Sequence, residues 1–223
     1  MNILALDTST EACSAALAMG DNIVERFELA PRGHSQLILP MLDALLHDAG
    51  ITLSAIDAIA FGCGPGAFTG LRIAAGIAQG VAFGADLPVI PVSSLAALAQ
   101  GASAKTGAQK ILAAIDARMG EVYWGAYQYA ENGLVQLYGC EGVYAPNQVP
   151  LPESEEWFGA GSGWETYGAD LQQHLSSVLT GYESAHYPHA ADVARLGVEN
   201  FKQGMAVCAE QAMPVYLRNE VAW

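Results

Sequence analysis

Asn2–Leu29, NILALDTSTEACSAALAMGDNIVERFEL, carries the pattern on which the fold turns. An apolar run from Asn2 to Leu6 stops at Asp7-Thr8-Ser9-Thr10 and reads as a first strand. Cys13–Met19 reads as a second, Gly20-Asp21-Asn22 as a turn and Ile23–Leu29 as a third, so the chain starts with a β-meander. The order returns in KILAAIDARMGEVYWGAYQYAENGLVQLY, Lys110–Tyr138. There a strand at Lys110–Ile115 stops at Asp116, a turn runs through Gly120, and strands follow at Glu121–Tyr129 and Leu134–Tyr138 around Asn132-Gly133. The repeat is one of pattern, not of letters.

Between the two meanders lies a helix from about Ser35 to Ala49, with His34 or Ser35 as its cap and Gly50 in the usual place after its end. Pro40 falls early enough to be tolerated. Its apolar positions, Leu37, Met41 and Leu45 among them, sweep an arc of roughly 220°, against ~100° for an ordinary surface helix. Ala55–Gly62 is a continuous apolar strand, as expected of a parallel strand covered on both faces.

Phe61–Gly84, FGCGPGAFTGLRIAAGIAQGVAFG, then breaks at Gly62, Gly64, Pro65 and Gly66 and restarts as a helix near Phe68 or Thr69. From Ile73 to Ala85 it has no charge, and Gln79 is its only polar side chain. Gly76, Gly80 and Gly84 stand four apart, although each glycine costs a helix about 0.5–1 kcal/mol. A helix apolar on nearly every face is buried on nearly every face. Its surface therefore belongs either to the interior of its own domain or in part to a second protein. The surface residues singled out for a partner on these two helices are Leu37, Met41, Leu45, Ala75, Gly76, Gln79, Gly80 and Phe83.

A strand at Leu87–Val92 and a helix capped at Ser93-Ser94 and running to about Gln100 complete the first half. The Gly/Ala/Ser/Lys-rich stretch 101–109 places a border between domains 1–104 and 105–223. After the second meander the chain reads as irregular up to Gly159-Ala160-Gly161-Ser162-Gly163, with helices near Tyr167–Leu179 and Ala190–Gly204. The last segment, Pro214–Arg218 included, is expected to pack back on the first lobe. Two lobes, each a mixed β-sheet with flanking helices and an aspartate ending its first strand, make the α/β plan of the actin/Hsp70/sugar-kinase (ASKHA) fold, with the second lobe reduced.

At 223 residues, 52% hydrophobic and 14% charged, the chain is long and apolar enough for real cores. A formal charge of −14 opposes unaided binding to nucleic acid, and the three lysines form no patch. No secretory leader is expected, because Asp7 interrupts the first apolar run, and no membrane span, because Gly, Pro and polar residues break the later apolar stretches. Cys13, Cys63, Cys140 and Cys208 lie at least fifty residues apart, which fits reduced cysteines in a cytosolic protein rather than a metal clip.

In such a fold the two first-strand loops face a nucleotide's phosphates, so Asp7, Thr8 and Ser9 from one lobe and Asp116 from the other are candidates for a degenerate nucleotide cleft. Gly161 and Gly163 fit the place of an adenosine loop. The same residues are also ordinary turn formers. Asp116-Ala117-Arg118-Met119-Gly120-Glu121 is either a salt-bridged turn or a functional one. Catalytic equipment is thin: no H-x-x-x-H pair is present, Tyr187-Pro188 separates His186 from His189, and Ser162 is one place off a G-x-S-x-G elbow. His34 reads as a cap or surface residue.

ILALDTSTEACSAAL, HSQLILPML, GPGAFTGLRIAAGIAQGVAFG, DARMGEVYWGAY and the tail PVYLRNEVAW together resemble the bacterial TsaB (YeaZ) family, over nearly the whole chain. The chain ends at Trp223, where members often carry a short basic tail. The resemblance implies a non-catalytic subunit in the formation of N6-threonylcarbamoyladenosine at position 37 of tRNAs that read ANN codons. Its implied partners are the catalytic paralogue TsaD, which shares the fold, the ATPase TsaE, and a second copy of itself when alone, with tRNA met only through the complex. The paralogue's metal-binding histidines fall by counting on Ser94 and Leu98, which supply no imidazole. No cofactor of its own is implied, a nucleotide in the cleft or at the complex interface being the open point. The alternative class is a cryptic ATPase or glycoprotease-type peptidase.

Overall fold

In the computed structural model, residues 1–153 and 156–218 are described; the last five residues of the PVYLRNEVAW motif lie outside them. The chain forms two compact units, Met1–Ala97 with Pro188–Val215, and Leu98–Tyr187 with the segment from Tyr216.

The first unit is built on alternation. In β1 (Asn2–Asp7), Leu4 and Leu6 join one core cluster while Ile3 and Ala5 turn to the opposite face. β2 (Ala12–Met19) and β3 (Asn22–Leu29) complete the meander. β4 (Ala58–Gly64) and β5 (Val89–Ser93) add in parallel on the other side, giving the order β3-β2-β1-β4-β5. Every residue of β4 is buried, as a strand covered on both faces requires. Helices α1 (His34–Ala49) and α2 (Phe68–Ala85) cover the Leu4/Leu6 face. Helix α5 (Ala190–Lys202) covers the other, so closely that a Cβ on Gly197 would lie 2.9 Å from Ala60 Cβ.

The second unit repeats this topology. β6 (Lys110–Arg118) pairs antiparallel with β7 (Glu121–Tyr129), which pairs with β8 (Val135–Tyr144). β9 (Trp157–Ala160) and β10 (Leu179–Glu183) add in parallel on the far side, giving β10-β9-β6-β7-β8. The first strand is central in both sheets, with the meander on one side and crossovers on the other. This is the ASKHA-like plan, and the second copy is reduced: the described residues between β8 and β9 hold only a 3-10 turn at Pro146–Gln148 where the first unit has α1.

Several expectations need correction. The small residues after Gln100 are helix, not linker: α3 runs Ser94–Thr106. Ala99 and Ala102 are buried, and the Gln100 side chain accepts from Val135 N and donates to Gly133 O. The border drawn at 104/105 therefore falls near the end of α3, whereas the compact units divide at Ala97/Leu98 and Tyr187/Pro188. β9 and β10 stand where irregular chain and the end of a helix were expected. α4 occupies Ser162–His174, with a kink at Tyr167 (φ −125°, ψ 22°). His34 does not cap α1: Gly33 is the N-cap residue, and the buried His34 Nε2 donates to Thr10 O at 2.9 Å. Ser93 does act as a cap, its Oγ accepting from Ala96 N at 3.2 Å.

Candidate functional site

α2 starts on top of the first-strand loop. A Cβ on Gly70 would lie 1.9 Å from Thr8 O, and one on Gly66 2.3 Å from Ser9 O, so only glycine lets the helix start this close. Ala67 N donates to Ser9 O at 2.7 Å. From that seat Leu71, Ala74, Ala75, Ala78 and Ala82 turn into the core. Phe68, Arg72, Gly76, Gly80, Phe83 and Gly84 are exposed along the opposite stripe, Phe83 at 76%. A Cβ on Gly76, Gly80 or Gly84 would meet nothing within 4 Å. Nothing inside the unit requires these three glycines, yet each weakens its helix.

The residues singled out on the two helices thus divide. Gly76, Gly80 and Phe83 lie on the open face. Gln79 is half-buried, and its Nε2 donates to Ala212 O at 3.1 Å. Leu37 is half-buried against the core. Met41, Leu45 and Ala75 are interior residues, 9%, 2% and 4% exposed, and present no surface to a partner. The excess apolar arc of α1 emerges instead at Leu39, half exposed, beside Pro40. Gly84 shares the open stripe with Gly76 and Gly80, as their four-residue spacing indicates, while Phe68 and Leu39 are absent from that set. With every face apolar, periodicity held no signal that distinguished them.

The expected phosphate loops are occupied by the chain itself. Asp7, Thr8 and Ser9 are fully buried. Thr8 Oγ1 donates to Gly70 O at 2.7 Å, and Ser9 N and Oγ donate to Asp7 Oδ1 at 2.9 and 2.8 Å. Burial pushes the Asp7 carboxyl up to about 6, against those two hydrogen bonds, which favour its ionised form. Its Oδ2 lies where a Gly62 Cβ would be, 1.8 Å away.

In the second unit Asp116 N donates to Ser162 Oγ at 3.1 Å. Asp116 Oδ1 accepts from Arg118 N, and Oδ2 from Arg118 Nη1 at 2.7 Å, so the cluster is a salt-bridged hairpin turn. Gly161 and Gly163 are buried, and their Cβ atoms would meet Ala114 O at 2.4 Å and Ala114 Cβ at 2.9 Å. They let α4 lie on β6, and they do not line an open loop. Within each unit, the hydroxyls and glycines expected at phosphates are engaged by the fold itself.

Ser94 and Leu98 are fully buried. Among the described residues no group of three His, Cys, Asp or Glu side chains converges as a metal site. His189 stacks on Phe27 (ring centroids 4.3 Å apart), and its Nδ1 bonds Glu25 Oε2 at 2.8 Å. Glu25 Oε1 and Ser14 Oγ accept from Ala191 N and Ala190 N, so the sheet supplies the N-terminal caps that α5 lacks in its own sequence.

The family model for TsaD, tRNA N6-adenosine threonylcarbamoyltransferase, matches residues 27–223. Among curated relatives, the tRNA threonylcarbamoyladenosine biosynthesis protein TsaB of Escherichia coli is 49% identical, covering 100% of this chain and 97% of its own length. TsaB of Bacillus subtilis is 30% identical over 98% of this chain and 94% of its own. The solved structure of YeaZ from Pseudomonas aeruginosa superposes with a TM-score of 0.90 at 49% identity, covering 97% of this chain and 99% of that one. A second solved Pseudomonas aeruginosa chain, described as similar to a peptidase YeaZ, gives a TM-score of 0.91. With its full length matched by curated relatives at up to 49% identity and its fold shared with solved YeaZ structures, the chain belongs to the TsaB (YeaZ) family of TsaD-like proteins.

Proposed function

We infer that this protein is a subunit required to form N6-threonylcarbamoyladenosine at position 37 of tRNAs that read ANN codons, and that it acts by docking on TsaD rather than by catalysing the transfer. The observation that carries this reading is the open stripe of α2, where three glycines and two exposed phenylalanines face away from a core that does not need them. A helix can lay its backbone directly on such a groove, and apolar faces of this kind mark interfaces. Alone, the same face serves a second copy of the chain.

The filled loops support a role without a nucleotide or metal of its own. The −14 charge supports a division of labour in which the other subunits, TsaD and the ATPase TsaE, hold the tRNA and the nucleotide. No helix among the described residues is long and apolar enough to cross a membrane, and a part in bacterial tRNA modification would place the protein in the cytoplasm.

The test is Gly80→Glu. Gly80 is open, so the variant folds, but burying an unpaired carboxylate at an interface costs several kcal/mol. The expected result is a folded protein that no longer co-elutes with TsaD and no longer supports modification. Wild-type co-elution by the folded variant overturns the reading. Transfer or peptide cleavage by the purified chain alone overturns its non-catalytic part.

A further inference from the structure

At the C-terminal end of α2 lies a cavity of about 730 Å³, lined among others by Phe83, Asp86, Leu87, Val207, Cys208 and Glu210. Its apolar wall continues the open face of α2, because Phe83 belongs to both. Its electrostatics are one-sided. The last turn of α2 has no basic residue, so the partial negative charge of the helix end is uncompensated by the helix. Asp86 occupies the C-cap itself at φ 55° and puts a carboxylate where a cation is favoured. Glu210 also lines the cavity, its carboxyl held below the usual range by its own backbone N–H and the Cys208 side chain. Among the described residues no Lys, Arg or His lines the cavity.

We propose that this cavity receives a lysine or arginine side chain of the protein that docks on the α2 face, a proposal that rests on the partner-subunit reading above. Leu87, Pro88 and Val207 suit the methylene stem of such a side chain, while Asp86, Glu210 and the helix end meet its charged head. The chain's own −14 charge makes a second copy the poorer complement.

Cys208 is an exposed thiol inside the cavity and gives a direct probe. In a Cys140→Ser background, with Cys13 and Cys63 buried, maleimide labels Cys208. Saturating TsaD is expected to slow that labelling at least about tenfold. Asp86→Lys/Glu210→Lys is expected to weaken TsaD binding by about tenfold or more. The thermal midpoint of the same variant is read beside its binding to show that it folds, since a lysine at the left-handed Asp86 position carries strain that offsets the charge it relieves at the helix end. Labelling at the free rate in the saturated complex, or a Kd within about twofold of wild type for the double variant, overturns the proposal. So does equal protection by spermidine alone, which would make this a small-cation site. If Gly80→Glu also binds normally, the partner reading itself has failed. If Gly80→Glu abolishes binding while charge reversal does not matter, only the cavity proposal has.

Discussion

Replacing Gly80 by alanine sets helix stability against partner binding. An alanine Cβ at Gly80 would have nothing within 4 Å, and the residue lies inside a regular helix, so no strain opposes it. Gly→Ala in a helix interior is worth about 1 kcal/mol. For a chain of this size that raises the thermal midpoint by about 2–4 °C. If the three glycines add independently, the Gly76→Ala/Gly80→Ala/Gly84→Ala triple gains about 1.5–3 kcal/mol, with least from Gly84 in the last turn. The same methyl groups fill the groove in which a partner backbone would lie, so the Kd for TsaD should rise by about tenfold for Gly80→Ala and further for the triple. Calorimetry of the isolated chain and titration with TsaD measure the two quantities. Midpoints must be compared across protein concentration, since self-association through this face adds a concentration-dependent term. A lower midpoint for dilute Gly80→Ala would show the glycine to be packed, contrary to the geometry. A higher midpoint with unchanged Kd would show that the groove serves no partner.

Three further outcomes follow from the interior. Ala75→Glu, four per cent exposed, should unfold or precipitate the protein where Gly80→Glu leaves it folded, a contrast that circular dichroism and solubility settle. Gly70→Ala drives a Cβ to within 1.9 Å of Thr8 O and should lower stability by about 1–3 kcal/mol in urea titration, although the residue is helical and alanine normally helps helices. Stability should also rise as pH falls from 8 to 5. Asp7 and Asp192 are pushed up to about 6, chiefly by burial, and His189 is raised, chiefly by its bond to Glu25. In all three the folded pKa exceeds the unfolded one, so the folded state binds protons more tightly. The histidine's contribution is present below about 6.5 and is lost as pH rises through its folded value; the buried acids cost stability once ionised, above about 6. Asp7→Asn should flatten the curve of midpoint against pH, and an unchanged slope would refute the assignment.

The strand order of each meander was legible in the sequence because a half-buried strand shows itself by alternation and a buried one by an unbroken apolar run. β1, β7, the extent of α2 and the left-handed Gly50 after α1 needed nothing beyond local chemistry. β9 and β10 were missed because four or five residues next to glycines carry too little period to read. α3 was read short because Ala, Ser and Gly suit a buried helix as well as a linker.

The site depended more heavily on the tertiary fold. A glycine that admits a phosphate and a glycine that admits a backbone look alike in sequence; only the position of Ala114 shows which kind Gly161 and Gly163 are, and only Thr8 and Ser9 show it for Gly70 and Gly66. The caps of α5 lie on Glu25 and Ser14, more than 160 residues before it. On α2, Ala75 and Gly76 are neighbours of similar size and polarity, yet one is interior and the other open. Composition determined that α2 carries more apolar surface than a free helix bears in water. Which side of it remains uncovered follows from where β4, Ala209 and Ala212 pack, because burial is a property of the surrounding atoms and not of the residue.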